Sequence, residues 1–173
     1  MKTQNGKIVI AFPRVFAVLA FVGLSQFLTS CNPSLLSNSF GSPEALARAV
    51  ITALEQEDRD ALWALMVTSE EHQNLLWEQL PESNHLPFDY ARLINERNST
   101  KGIGLAISEY GGNELEFVSI EFTDEPEEYE GFTLHFGTVL VVRRVSDGEE
   151  GALPILDVVL EYNGRWKLMN YKE

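Results

Sequence analysis

A single cysteine, Cys31, stands in a chain of 173 residues. An internal disulfide is thereby excluded, as is any zinc site built on paired cysteines. Acidic residues are absent before Cys31, although the whole chain carries 26 of them against 13 basic residues. No uncharged apolar run reaches the roughly 20 residues that a helix needs to cross a bilayer core. His-Glu-x-x-His and Gly-x-Ser-x-Gly are both missing. Gly102-Ile103-Gly104 lacks the third glycine and the preceding strand of a dinucleotide-binding loop. The sequence therefore offers no recognisable catalytic motif, cofactor site or metal site.

The first 30 residues have a layout of their own. Lys2, Lys7 and Arg14 form a positive start, and Val15 to Leu28 is an uncharged run of 14 residues interrupted only by Gly23, Ser25 and Gln26. Extending that run back to Ile8 would include Pro13 and Arg14, and a charge at that depth costs a few kcal/mol. The segment reads as a signal peptide rather than a stable span. Leu28-Thr29-Ser30-Cys31 closes it. This tetrad resembles the lipobox of bacterial lipoprotein precursors. The resemblance implies cleavage before Cys31, lipidation of its sulfur, and two or three acyl chains. One chain alone holds only weakly, at about 0.8 kcal/mol per buried CH₂; several make a lasting anchor. The expected location is the cell envelope. Asn32, not aspartate, follows the cysteine, and the lipoprotein sorting rule then implies the outer membrane if the host has two membranes.

Removing the leader takes away 3 of the 13 basic residues and none of the 26 acidic ones, leaving a net charge of −16. Phosphate binding needs a basic face, so nucleic acid is excluded as a partner. Lying flat on anionic lipid is disfavoured too. The remaining 143 residues suit one domain with a sizeable core. Residues 31–41, rich in Ser, Asn, Pro and Gly, read as a flexible tether. The domain is expected over 42–173.

Ser42-Pro43-Glu44 supplies an N-cap, a first-turn proline and a dipole-matched acid. Leu46, Ala49, Val50, Ala53 and Leu54 then form one helical stripe that ends near Glu57. A short second helix is expected over 61–67. Thr68 and Glu71 match a capping box, opening a third helix that stops at Pro81. Pro87 opens a fourth. Asn98-Ser99-Thr100 reads as the cap of a further helix that ends at Gly111-Gly112. The period then changes from 3.6 to 2. Strands are expected at 115–123, 132–145, 152–162 and 165–171, with an acidic loop at 124–131 and an Asn163-Gly164 hairpin. The fold class is α+β: N-terminal helices packed on a curved four-stranded antiparallel meander. Pro43-Glu44-Ala45 through Leu65, together with the closing hairpin Asp157 to Leu168, resembles the nuclear-transport-factor-2-like, or cystatin-like, superfamily. That resemblance implies a sheet wrapped around the helices to form a cone with a pocket.

Alternation assigns Phe132, Leu134, Phe136, Thr138, Leu140, Val142, Leu156, Val158, Leu160, Tyr162, Trp166, Leu168 and Asn170 to the inward face. A ligand pocket is expected to be lined by Phe136, Leu140, Leu160, Tyr162 and Trp166, with Tyr162 as its polar handle. His135 and Asp157 fall on the outer face as cross-strand neighbours. Trp63, Trp77 and Trp166 read as core. The acidic run Asp124 to Glu130 matches no calcium loop and reads as a solvated hairpin that blunts a sheet edge. Two function classes follow. One is a non-catalytic envelope module that binds a small apolar ligand, a glycan or an envelope protein. The other is an isomerase- or dehydratase-like enzyme of the superfamily. The inward strand positions supply no carboxylate as general base, but His72 or Glu71 could enter the pocket from a helix. The leader generates the first prediction. Mass spectrometry of the native protein should find an acylated Cys31 at its N-terminus, and a mature protein that keeps Met1 would contradict the reading.

Overall fold

A computed structural model describes residues 36–173, which lie within the compact unit Asn32–Glu173. The leader and Cys31 lie outside the described residues. The chain is α+β. Helix α1 spans Pro43–Glu55, with the Ser42 side chain accepting from the Ala45 amide. Its stripe of Leu46, Ala47, Val50, Ile51, Ala53 and Leu54 is buried, which is what the 3.6-residue spacing dictates. Helix α2, Arg59–Ala64, starts on an Asp58 cap. The Thr68–Glu71 capping box forms as expected and opens the short helix α3, Ser69–Glu71. A π-helical turn, His72–Leu76, follows directly. Two 3₁₀ turns, Trp77–Gln79 and Pro81–Asn84, lead on to the long helix α4, Phe88–Tyr110.

Helix α4 is continuous where two helices were expected. The Asn98-Ser99-Thr100 cap signal was a misreading. The Ser99 hydroxyl is buried and donates back to Asn95 Oδ1 at 3.2 Å, and the Thr100 hydroxyl donates to the Glu96 carbonyl at 2.7 Å. Hydroxyls that bond back one turn leave the helix uninterrupted. Gly102 brings α4 against the C-terminal strand, for a Cβ there would come within 2.5 Å of the Lys172 carbonyl.

Seven strands follow: β1 Leu115–Phe122, β2 Glu127–Tyr129, β3 Phe132–His135, β4 Thr138–Arg144, β5 Glu150–Leu153, β6 Leu156–Tyr162 and β7 Arg165–Tyr171. They form two antiparallel sheets, ordered β1-β4-β5 and β2-β3-β6-β7. The expected long strand at 132–145 is broken at Gly137 and the expected third strand at Pro154. Gly137 has φ +59°, and a Cβ there would strike the Thr123 and Asp124 side chains. The loop expected at 124–131 contains β2, paired with β3. Asn163 and Gly164 both take positive φ, +49° and +72°, as the two-residue hairpin turn requires.

These breaks overturn the single inward face. Register shifts around Val158 in β6 divert the alternation. Leu140, Val142, Leu156, Val159 and Leu168 join one core with α1, α2 and α4. Phe132, Leu134, Leu160 and Met169 form a second core with Leu36, Leu76 and Leu80. Sheet β2-β3-β6-β7 is thus covered on both faces. Trp63 is another departure, since it is exposed rather than core.

Residues 36–41, expected to belong to a flexible tether, are part of the domain. Leu36 is 1% exposed in the second core. Phe40 exchanges two 2.9 Å backbone hydrogen bonds with Trp166. Arg165 donates to the Ser39 hydroxyl and to its carbonyl. One buried and one half-buried apolar side chain, Leu36 and Phe40, together with a paired edge outweigh the Ser/Asn composition. Residues 65–67 cover the rest of that edge: Leu168 donates to the Leu65 carbonyl at 3.1 Å, and Val67 donates to the Leu168 carbonyl at 2.7 Å.

A buried ion pair joins these parts. Lys167, at 0% exposure, donates to Glu71 Oε2 at 2.7 Å and to the Ser37 hydroxyl at 3.2 Å. Glu71 Oε1 accepts from the Ser37 amide and hydroxyl at 2.6 and 2.8 Å, and Oε2 also accepts from the Thr68 amide at 2.7 Å. Burial pushes the Glu71 carboxyl up, but the bonds from Lys167, Thr68 and Ser37 prevail and hold it below the ordinary carboxylate range. Removing one partner leaves an uncompensated buried charge. Lys167→Met should therefore cost about 3–5 kcal/mol in urea unfolding. An unchanged midpoint would show that the pair is not buried.

A candidate ligand cleft between helix α4 and the sheet

The expected pocket residues do not converge. Leu140 and Trp166 pack with the first core, whereas Leu160, Tyr162 and Phe136 pack with the second. Of the five, only Phe136 lines the cleft described next. The reason is the pair of breaks at Gly137 and Pro154, with the shifted register of β6, which turn alternate residues onto opposite faces. The outer-face reading of His135 and Asp157 also fails. His135 packs against both Phe122 and Trp166, with ring centroids 4.6 and 4.9 Å away and a side chain 15% exposed. It lies opposite Val159, and its Nε2 is 3.5 Å from Glu161 without forming a hydrogen bond. Asp157 instead accepts from Asn170 Nδ2 at 2.7 Å. The two residues are not partners.

The cleft lies on the second-core side of sheet β2-β3-β6-β7 and has a volume of about 400 Å³. The sheet contributes Tyr129, Leu134, Val158 and Met169 to its wall, and Phe136 adds to it just after β3. Helix α4 contributes Ala91, Ile94, Asn95 and Asn98, and the turns before it contribute His72, Trp77, Leu80 and Leu86. Asn95 Nδ2 donates to the Met169 carbonyl at 3.3 Å and fixes the helix to the sheet there. The size, and a lining that sets polar side chains among a majority of apolar and aromatic ones, suit a small-molecule site.

The polar lining comprises His72, Glu82, Asn95, Asn98, Glu127, Tyr129 and Asn170, of which His72 and Tyr129 have shifted titration. His72 is 8% exposed, and its Nε2 is buried with no hydrogen-bond partner. Its ring stands edge-on to Trp77 and Phe88, at centroid distances of 5.8 and 5.4 Å. Burial holds the imidazole below the ordinary histidine pKa, against the opposing field of Glu82. The ring is therefore neutral at pH 7. Tyr129 donates to Glu127 Oε2 at 2.6 Å. Burial, reinforced by Glu127 and by the charge of Glu82, pushes its phenol up to about 12. Tyr129, not Tyr162, is the tyrosine at the cleft. The acidic composition of 124–131 hides Tyr129 by giving the look of a loop to a segment that contains β2, and the sequence offers His72 only as a residue able to enter from a helix.

A smaller cleft of about 250 Å³ shares His72 and Asn95 and is lined also by Trp63, Arg92 and Glu96. Its arginine is already held by Glu96 at 2.6 Å. Among the described residues no group of three or more His, Cys, Asp or Glu side chains is placed to hold a metal ion, and no helix is long and apolar enough to cross a membrane. The chain matches no protein-family model, no curated protein and no solved structure.

The state of His72 makes stability depend on pH. An unfolded histidine takes up a proton near pH 6.5, which the folded ring resists. The unfolded state then binds more protons, so stability is full above that pH and falls as pH drops through it towards the folded pKa. Thermal unfolding from pH 7 to pH 5 should show this loss, and His72→Phe should make the slope shallower. Equal slopes in the two proteins would contradict the buried neutral ring.

Proposed function

We propose that this protein is a lipid-anchored envelope module whose domain holds a small apolar molecule in the cleft between α4 and sheet β2-β3-β6-β7. The observation that carries the reading is the cleft itself: about 400 Å³, walled mostly by apolar and aromatic side chains, and lined by His72, whose buried Nε2 has no partner. A polar atom held dry in such a place is destabilising unless something bonds to it. A ligand supplies that bond.

The reading is non-catalytic. A general base needs geometry and an orienting partner as well as a pKa. His72 has two aromatic edges around it, and Glu82 reaches it through its field alone, with no hydrogen bond to the ring. Glu127, the strand carboxylate that lines the cleft, accepts from the Tyr129 hydroxyl, and Asp157, outside the cleft lining, accepts from Asn170.

The two sheets are further proposed to be halves of one bent sheet, the cone of a nuclear-transport-factor-2-like domain. Two observations support this. The run 132–144 pairs along its length with the run 150–162, and the register changes by one residue across the breaks at Gly137 and Pro154. The membrane anchor rests on the leader and on Cys31 in the sequence.

The neutral dye N-phenyl-1-naphthylamine, which fluoresces in apolar surroundings, tests the cleft. It should bind the wild-type chain, and Ala91→Trp, which places an indole in the cleft, should weaken binding at least about tenfold, the equivalent of 1.4 kcal/mol. Equal dye binding by both proteins would overturn the site.

A further inference from the structure

We infer that the ligand of this cleft is an apolar amine bound as its ammonium ion. The inference rests on the proposed cleft and adds the charge of what fills it. Among the described residues lining the cleft none is lysine or arginine, whereas Glu82 and Glu127 both line it. A fatty acid or other apolar anion would enter without a counter-charge and would face two carboxylates. A cation meets the opposite situation.

Three further features suit an ammonium group. Trp77, Tyr129 and Phe136 present aromatic rings to the cleft, and a cation over such a face gains from the ring quadrupole. Glu127 uses Oε2 to accept from Tyr129, which leaves its other oxygen to accept from a ligand. His72 Nε2 is buried and unpartnered at the same cleft. In a neutral ring this nitrogen accepts when the proton sits on Nδ1, and an ammonium N–H is the matching donor. The field of Glu82 reaches both His72 and Tyr129, which places its carboxylate where a cation between them would feel it. The apolar wall of Leu134, Val158 and Met169 takes the hydrocarbon part.

Three probes that differ only in their head group test the inference: 4-phenylbutylammonium, 4-phenylbutanol and 4-phenylbutanoate. Each is titrated at neutral pH into the full chain, and the shift of the Trp77 indole N–H is followed by NMR. The ammonium should bind about tenfold tighter than the alcohol, from cation–π attraction and the rim charges, and the carboxylate weaker than the alcohol. Glu82→Gln combined with Glu127→Gln should narrow the gap between ammonium and alcohol to less than about threefold. If the alcohol matches the ammonium, or the carboxylate binds tightest, the amine inference fails while the apolar cleft stands. If no probe moves the Trp77 signal, the cleft reading falls and the inference with it.

Discussion

A lysine ammonium with no solvent contact, 2.7 Å from a glutamate, is the interaction on which the rest of this domain depends. Lys167 comes from the last strand, Glu71 from the capping box that opens the middle turns, and Ser37 from the segment ahead of the first helix. Three stretches far apart in sequence meet at one charge pair. Charges in such a place are stable only when every lone pair and proton is used. Glu71 satisfies that condition, with four short contacts on its two oxygens. A pair so constrained fixes where the chain runs more than it adds net stability.

Its consequence for the cleft is direct. His72 follows Glu71 and begins the π-helical turn. Wide turns of this kind re-aim side chains and are frequent at functional sites. With Glu71 held towards β7, the next residue is carried into the cleft against Trp77 and Phe88. Burial then keeps the imidazole neutral. The opposite wall is equally fixed. Strand β7 is buried on both faces and covered at its edge by Phe40 and residues 65–67. The cleft therefore has walls tied down by core packing and backbone pairing and one unsatisfied nitrogen, a combination that suits a preformed site.

Local signals in the sequence carried far. The Ser42 cap, the α1 stripe, the Thr68–Glu71 box and the Asn163-Gly164 turn all form, because each depends on residues within one or two turns. Readings that needed long-range information failed. Lys167 in a run of alternating strand residues looks solvated, and nothing near it announces Glu71, 96 positions earlier. Leu36 and Phe40 sit in a stretch whose composition is that of a linker; their burial depends on a partner at the far end of the chain. The pocket residues were misassigned because period-2 reasoning assumes an unbroken strand. One positive-φ glycine at 137 and a shifted register in β6 suffice to redistribute them. Ser99 reads as a cap in the sequence, yet its hydroxyl bonds back to Asn95 and accepts from the Tyr171 amide, a partner 72 positions away that no local signal shows.

The central claim is that the space between Trp77, Phe136 and Met169 is a ligand site. The most direct measurement is a crystal structure of the protein purified from its native cells at a resolution that shows small molecules. Density should fill the cleft, with a polar atom within hydrogen-bond reach of His72 Nε2. A cleft closed by its own side chains, with that nitrogen bonded to a protein group, would contradict it.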